Sequence, residues 1–248
     1  MVEAVHAGNL ARFREICGAD NFGCRILSSW SAFGDDPALT TMVSDGGAAL
    51  SFKGGAAVVC GQNDPELTEC LAFLGCREIF SPAHIGYPPG YDVSTGPVAL
   101  LSELRDTDFG RAEKIDAEKL REIWPVIVSD LPGIVSQPFG EWYVELSHRL
   151  RHGNARIYAV REGGKIVSVA MTAAESDFAA VIGFVRTLKE YRGRGFASGL
   201  CAVLGNELLR EKKRVYISCG ENRLSFYESI GYRKVFDWKY GKKREENG

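Results

Sequence analysis

Residues 181–204 read VIGFVRTLKEYRGRGFASGLCAVL and are the most informative segment of the chain. Its first seven residues are mostly apolar and β-branched or aromatic, as in a buried strand. After Arg192 the chain is rich in glycine, and from Phe196 apolar residues recur with the 3.6-residue period of a helix. The segment therefore predicts a strand, a glycine loop and a helix in direct succession.

The start of this helix is a candidate site for an anion. The first backbone N–H groups of a helix have no internal partner, and the helix dipole adds partial positive charge there. A phosphate oxygen satisfies both features. Gly193 and Gly195 let the backbone approach a ligand without an intervening Cβ, while Arg192 and Arg194 add positive charge. We therefore expect a diphosphate to bind at this loop.

The glycine spacing narrows the class of ligand. Gly193, Gly195 and Gly199 leave one residue too many for the dinucleotide pattern G-x-G-x-x-G, and no Lys-Ser or Lys-Thr follows to complete a P-loop. The pattern R-x-x-G-x-[GA] does fit, as Arg192, Gly195 and Ala197. A plain helix-capping glycine turn is the structural alternative for so short a motif.

Length and composition set broader limits. The 248 residues suit two compact domains of the usual roughly 100 to 200 residues each. Apolar residues make up 45 % and charged residues 25 %, so a packed core is expected. Lys and Arg total 30 against 32 for Asp and Glu, which gives no broad basic field for nucleic acid. A small molecule or a single side chain is the more natural substrate.

No targeting or metal-binding signal stands out. Residues 1–10 lack the apolar run of a secretory signal, and no stretch approaches the roughly 20 apolar residues of a membrane span, so a cytoplasmic location without a membrane partner is expected. The cysteines number seven, none in a C-x-x-C pair, and are interpreted as buried, reduced thiols. His84, His148 and His152 lack metal-ligand spacing, so no metal is expected.

The remaining patterns predict two domains, 1–104 and 105–248, divided in the proline- and glycine-rich stretch 87–108. The first has strands at 41–43, 48–52 and 56–60, separated by glycine pairs, and a helix opened by Asp64-Pro65. The second runs helix, helix, three strands, helix, strand, helix, strand. A shift of 156 residues lays LGCREIF (74–80) over IGYRKVF (230–236), which suggests either chance or an N-terminal half that is a worn copy of the C-terminal half.

A second motif joins the glycine loop at residues 226–232, FYESIGY. Together with the strand and loop at 184–195, it resembles the GCN5-related N-acetyltransferase (GNAT) family, over about residues 105–240. The resemblance implies an α/β (α+β) fold with a mixed, mostly antiparallel sheet flanked by helices, preceded by a smaller, degenerate half. It implies acetyl-CoA as acetyl donor, a primary amine as acceptor, and no metal.

The resemblance also assigns site residues. Tyr227 is the candidate general acid, because a phenol with a reference pKa of about 10 can protonate the leaving thiolate; a core aromatic is its structural alternative. Asn222 stands five residues before Tyr227 rather than the common seven, so a helix N-cap is an equal alternative. The residues implied to bind the coenzyme are Val185, Arg186, Thr187, Arg192, Gly193, Arg194, Gly195, Phe196, Ala197, Ser198 and Asn222.

Main-chain groups, rather than side chains, are implied at two of these positions. In the family the strand before the loop splays from its neighbour, so Val185 and Thr187 are expected to pair with the pantetheine arm. A backbone N–H there could also stabilise the negative oxygen formed during acyl transfer, an effect often worth roughly 3 kcal/mol.

No general base is assigned. Val181 occupies the place where several relatives carry a glutamate, Glu175 and Asp177 are weak candidates that fit solvated turn residues better, and a water chain is equally admissible. The missing glutamate leaves open a non-catalytic acyl-CoA-binding or sensory module. The N-terminal half has no matching loop, and walling the substrate cleft or making a homodimer contact are both open roles for it.

Overall fold

The computed structural model describes residues 1–106, 109–129 and 138–244. Its strands, in chain order, are β1 (Val2–Ala4), β2 (Thr40–Ser44), β3 (Ala48–Lys53), β4 (Ala56–Gly61), β5 (Glu78–Pro82), β6 (Tyr91–Leu101), β7 (Glu113–Lys114), β8 (Ile157–Glu162), β9 (Lys165–Glu175), β10 (Ala179–Thr187), β11 (Arg214–Ser218) and β12 (Tyr232–Lys243). Its α-helices are α1 (Leu10–Cys17), α2 (Asn21–Phe33), α3 (Pro65–Phe73), α4 (Leu120–Ile127), α5 (Phe139–Arg151), α6 (Phe196–Arg210) and α7 (Leu224–Ser229).

The chain forms two compact units that are interleaved in sequence. The first unit comprises Met1–Ala99, Ser218–Ser225 and Lys234–Gly248, and the second comprises Leu100–Ile217 and Phe226–Arg233. The change between Ala99 and Leu100 lies close to the predicted boundary at 104. The end of the chain is divided differently from the prediction, because β12 pairs with β5 of the first unit from Trp238↔Pro82 to Lys242↔Glu78.

In the first unit the strands follow the order β1-β2-β3-β4-β5-β12-β6. Neighbours from β1 to β4 are antiparallel, whereas β4 and β5 are parallel and are connected by α3. Apolar residues of β3, β4 and β5 pack against α3. The core of this unit includes Leu50, Val59, Leu67, Leu71 and Ile79.

In the second unit the order is β11-β10-β9-β8-β7. The pairs β7–β8, β8–β9 and β9–β10 are antiparallel, and β10–β11 is parallel with α6 as the crossover. Gly163 and Gly164, with φ of 54° and 82°, make the two-residue turn between β8 and β9, a conformation that favours glycine. The predicted mixed, mostly antiparallel α/β fold is confirmed.

The short strands β1 and β7 and two longer elements, β6 and α2, were not predicted from the sequence. The stretch taken as a boundary contains the eleven-residue strand β6, and α2 begins after Asp20, whose carboxylate caps the amides of Phe22 and Gly23. The sequence similarity between residues 74–80 and 230–236 does not follow the topology of the two units. It aligns α3 and β5 with α7 and β12. The order of the strands instead aligns β2-β3-β4-α3-β5 with β8-β9-β10-α6-β11. That the first unit is a degenerate copy stays a prediction.

Candidate functional site

Strand β10 leaves its parallel neighbour halfway along its length. The register with β11 runs from Ala179↔Arg214 to Ile182↔Ile217, whereas β10 continues to Thr187 alongside β9. Just past Ile182, a β-bulge shifts the pairing with β9 between Gly183 and Arg186. Phe184 lies in this bulge with a φ of +49°, which is unusual for a residue other than glycine and marks a locally strained backbone. The predicted splay is therefore present, and the bulge accompanies it.

The last residues of β10 turn alternate main-chain groups to the two sides of the strand. The Leu188 amide donates to Val167 on β9, so the main-chain groups of Thr187 point away from β9. The Thr187 carbonyl accepts a hydrogen bond from Arg192 Nε at 3.1 Å, and the Val185 carbonyl accepts one from Arg186 Nη1 at 3.3 Å. A pantetheine arm that paired with these carbonyls would displace guanidinium groups, and this pairing stays a prediction.

Two glycines of the loop have backbone conformations that other residue types rarely adopt. Gly193 and Gly195 both have φ of +76°, and Gly195 is the N-cap of α6 in the left-handed region. A Cβ at Gly193 would meet no atom within 4 Å, and at Gly195 only Ser198 Oγ at 3.8 Å. Glycine is thus favoured by φ, while the space above the loop is open toward solvent.

The start of α6 presents a row of unpaired amides. Within the described residues, the backbone N–H groups from Gly193 to Ser198 meet no hydrogen-bond acceptor. The Gly195 carbonyl, by contrast, accepts both the Gly199 amide at 2.9 Å and Ser198 Oγ at 2.8 Å. The helix therefore begins with its donors available, and its dipole makes this a place where an anion is stabilised.

The third glycine of the loop has a packing role. A Cβ on Gly199 would overlap the ring of Phe109. The segment that carries Phe109 also places the Arg111 guanidinium 5.0 Å from the ring centroid of Phe196, the first residue of α6. Arg111 forms an ion pair with Glu162. Sequence reasoning missed this cation at the helix start, since 85 residues separate it from Phe196 and no local pattern links them.

The two arginines of the loop fold back onto it. Besides the contact of Arg192 with Thr187, Arg194 donates to the Glu190 carbonyl at 3.3 Å and lies 5.0 Å from the ring centroid of Tyr191. Both arginines are exposed. Their charge lies beside the unpaired amides, although the structure does not direct either side chain onto them.

The corresponding helix of the first unit starts in the opposite way. Asp64 is the N-cap of α3, and its carboxylate accepts the Glu66 amide at 2.9 Å. Asp64 thus fills with its own negative charge the position that is a bare glycine in α6, and repels a phosphate. The contrast explains in physical terms why the start of α6, rather than that of α3, is a candidate for binding a diphosphate.

Tyr227 lies on α7 and is 9 % exposed. Its ring makes edge-to-face contacts with Phe226, at a centroid distance of 5.0 Å, and with Tyr232, at 5.8 Å. Asn222 is exposed within a 3₁₀ turn, Glu221–Arg223, whose cap position is Gly220. The N-cap alternative for Asn222 is therefore not what the structure shows. Its contact with a coenzyme stays a prediction.

The positions considered for a general base differ in burial and in their partners. Val181 is fully buried on β10, and Asp177 is an exposed bend residue, as expected. The interpretation of Glu175 as a solvated turn residue is wrong. Glu175 ends β9 with a side chain only 2 % exposed, paired with Arg156 at 2.7 Å and Lys213 at 2.6 Å. Because its carboxylate is buried and already contacts two basic side chains, it is poorly placed to meet a substrate amine.

None of the seven cysteines, all of which lie in the described residues, is in a disulfide, and five of them are buried. In the part of the chain that the structure describes, no three His, Cys, Asp or Glu side chains gather to bind a metal ion. Across the same residues, none of the helices combines the length and apolarity that crossing a membrane requires.

Comparison with known proteins bears on this geometry. Residues 153–234 match the model of the acetyltransferase (GNAT) domain, a range that contains β10, the glycine loop, α6 and Tyr227. No curated protein matches the chain. The resemblance to the GNAT family expected from the loop and from FYESIGY is confirmed over residues 153–234.

Solved structures share the fold. A putative GNAT acetyltransferase from Novosphingobium aromaticivorans is 19 % identical with a TM-score of 0.62, covering 91 % of this chain and 100 % of its own. A GCN5-related N-acetyltransferase-like protein from Streptococcus suis is 15 % identical (TM-score 0.55; 95 % and 99 % covered), and a GCN5-related N-acetyltransferase from Kribbella flavida is 13 % identical (0.59; 89 % and 95 %). At these sequence identities, the similarity to the solved structures shows the fold alone. Together with the match to the acetyltransferase (GNAT) domain, it supports an acyltransferase.

Proposed function

We propose that the protein transfers the acetyl group of acetyl-CoA to a primary amine of a small molecule or peptide, by direct attack within a ternary complex. One observation carries the proposal. The amides from Gly193 to Ser198 have no acceptor among the described residues, and a single short turn joins them to strand β10, which has left its parallel neighbour β11. Donors of this kind suit a diphosphate, and the splayed strand suits an extended chain that pairs with it.

The residues then divide the work. The amides and the charge of Arg192 and Arg194 hold the diphosphate of acetyl-CoA. The main chain at Val185 and Thr187 orients the pantetheine arm. The amine nitrogen attacks the thioester carbonyl, the C–S bond breaks, and Tyr227 gives its phenolic proton to the departing sulfur. Solvent returns a proton to Tyr227, and the proton lost by the amine leaves through water, because Val181 supplies no carboxylate.

The remaining expectations belong to the same proposal. The partner is a small-molecule or peptide amine rather than nucleic acid or a membrane, the location is cytoplasmic, and a homodimer is one option for the assembly. The near balance of charge, 30 basic against 32 acidic residues, supports a discrete amine over a polyanion.

Two measurements test the proposal. Calorimetry with acetyl-CoA and with dephospho-CoA asks whether the coenzyme binds, and release of free thiol reports turnover with polyamines, aminoglycosides, amino acids and peptide N-termini. Binding together with thiol release by one class of amine supports the enzyme. Failure of acetyl-CoA to bind at millimolar concentration contradicts it.

A non-catalytic acyl-CoA-binding module is the second candidate. The buried Val181, in the place of a strand glutamate, favours it. This candidate predicts coenzyme binding of ordinary affinity with no thiol release above the solvent rate for any amine of the panel.

A further inference from the structure

Tyr232 is a buried tyrosine whose hydroxyl makes no hydrogen bond within the described residues. The residue is 2 % exposed, and its Oη atom meets no hydrogen-bond partner in residues 1–106, 109–129 and 138–244. Burial raises the pKa of its phenol well above the ordinary value, with smaller contributions from Cys201 and Tyr227, so the ring stays neutral at all ordinary pH. Burying an unpaired hydroxyl costs free energy, so the ring must be what the fold requires here.

One side of Tyr232 rests on helix α6. The position of a Cβ on Gly205 would be 3.8 Å from Tyr232 Oη and would overlap Leu101, so the absence of a side chain at Gly205 lets neighbouring groups approach the helix closely. Cys201, one turn earlier on α6, is fully buried and is the second titratable neighbour of Tyr232. At 1.5 Å per residue, Cys201 lies about 8 Å along the axis from Phe196, where the helix begins.

The other side of Tyr232 meets Tyr227. The ring planes are inclined at 73° with centroids 5.8 Å apart, an edge-to-face geometry that favours one orientation of the pair. The turn between the two residues is closed by the amides of Ile230 and Gly231, which donate to the carbonyls of Tyr227 and Glu228 at 3.1 and 3.0 Å. Gly231 has a φ of +96°, a conformation that favours glycine and fixes the path from α7 into β12.

We propose that Tyr232 is a positioning residue, which holds Tyr227 at a fixed place relative to helix α6 through its ring and not through its hydroxyl. The inference rests on the proposed function, in which the start of α6 holds the diphosphate and Tyr227 protonates the sulfur. One end of acetyl-CoA is then anchored on the same helix that fixes, through Tyr232, the acid needed at the other end. A misplacement of about 1 Å can cost on the order of 100-fold in rate, so such a link matters for turnover.

The test compares a variant that keeps the ring with one that removes it. Tyr232→Phe is expected to retain at least half of the wild-type kcat with acetyl-CoA and the amine turned over fastest. Tyr232→Leu is expected to lower kcat about tenfold while the Kd for acetyl-CoA stays within twofold. Tyr232→Met, whose flexible chain refills the space, serves if the leucine variant does not fold. Equal kcat in the phenylalanine and leucine variants overturns the inference.

A double-mutant cycle separates positioning from general damage. In a Tyr227→Phe background, Tyr232→Leu should change kcat by less than about twofold, because no acid is left to position; a further tenfold loss contradicts the role. Tyr91→Leu is the matched control, since Tyr91 is also a buried tyrosine in an edge-to-face pair, with Tyr87 in the first unit. It should lower the melting temperature without the tenfold loss of kcat.

NMR of ¹³C-labelled tyrosine rings gives a readout that needs no turnover. Tyr227 should show one set of ring signals in wild type and Tyr232→Phe, and broadened or shifted signals in Tyr232→Leu. Unchanged Tyr227 signals in the leucine variant refute positioning. If Tyr227→Phe itself leaves kcat unchanged, the acid of the proposed function fails, and the NMR result still decides whether Tyr232 holds Tyr227.

Discussion

Arg156 Nη2 lies 2.7 Å from the carboxylate of Glu175, and both side chains are largely withdrawn from solvent, at 14 % and 2 % exposure. The same guanidinium makes two further hydrogen bonds of 2.6 Å to Glu211 and an ion pair of 3.1 Å with Glu207. Arg156 therefore joins β8, the end of β9 and the last turns of α6. It is the centre of an ionic network in the second unit.

Arg156→Met should destabilise the protein by about 3 kcal/mol, because it removes a cation that pairs with the buried Glu175 carboxylate, while the ion pair of Glu175 with Lys213 is kept. Urea unfolding at pH 7 measures the change. Arg151→Met is the control: Arg151 is exposed and, within the described residues, makes no ion pair. A loss below 1 kcal/mol for Arg156→Met shows that the network matters little for folding.

Stability should also fall in acid through Glu211. Its hydrogen bond with Arg156 lowers the pKa of the Glu211 carboxyl from 4.5 to about 2. A carboxyl with a lowered pKa in the folded state stabilises fully above about pH 4.5, and this contribution disappears as the pH falls toward 2. Because the Glu211 side chain is 42 % exposed, solvent screens the interaction. We therefore expect a small loss of stability in acid and predict its sign, not its size.

Glu211→Gln should therefore flatten the dependence of urea midpoints on pH between 4.5 and 2. Glu118→Gln is the comparison, since Glu118 is exposed and is in no ion pair within the part of the chain described. If both variants keep the wild-type slope, the hydrogen bond to Arg156 does not control the acid sensitivity.

Gly195 offers a charge test with matched backbones. Asn and Asp both tolerate the left-handed conformation found there, at φ +76°, and differ by one negative charge. Gly195→Asp should weaken acetyl-CoA binding at least 100-fold by repelling the diphosphate, whereas Gly195→Asn should stay within about tenfold of wild type. Calorimetry measures both; equal affinities mean that no anion binds at this helix start.

Tyr227→Phe should lower kcat about 100-fold, at the lower end of what proton transfer by a placed side chain contributes, with an unchanged Kd for acetyl-CoA. Phenylalanine keeps the edge-to-face contacts with Phe226 and Tyr232, so the fold is preserved. Thiol release under saturating coenzyme gives the comparison. Wild-type turnover in this variant removes Tyr227 from the chemistry.

Local sequence rules predicted most of the second unit. The strand at 181–187 is confirmed within two residues at its start, and the helix begins at Phe196 as predicted, because apolar periodicity and glycine turns are local signals. The position of the candidate site could be predicted for the same reason. The uncapped start of α6 can be predicted from Gly195 and the residues that directly follow it.

The rest depends on contacts distant in sequence. Strand β6 was not predicted, because its sequence contains and follows prolines and glycines that usually mark loops. It forms by pairing with β12, which is distant in sequence. Glu175 sits in a sequence typical of a turn, yet Arg156 and Lys213 make it a buried, paired charge. Arg111 and Tyr232 owe their roles to neighbours on α6 that no local pattern specifies.

The place of β12 between β5 and β6 has a consequence for how the protein is made. While a ribosome is still synthesising α6 and α7, both flanking strands expose bare edges, which invite pairing with other chains. The sheet of the first unit therefore cannot be completed until β12 has been synthesised, although β1 to β6 are translated before α6 and α7. Fragments cut near residue 104 should aggregate, and recombinant production should work only with both halves in one polypeptide.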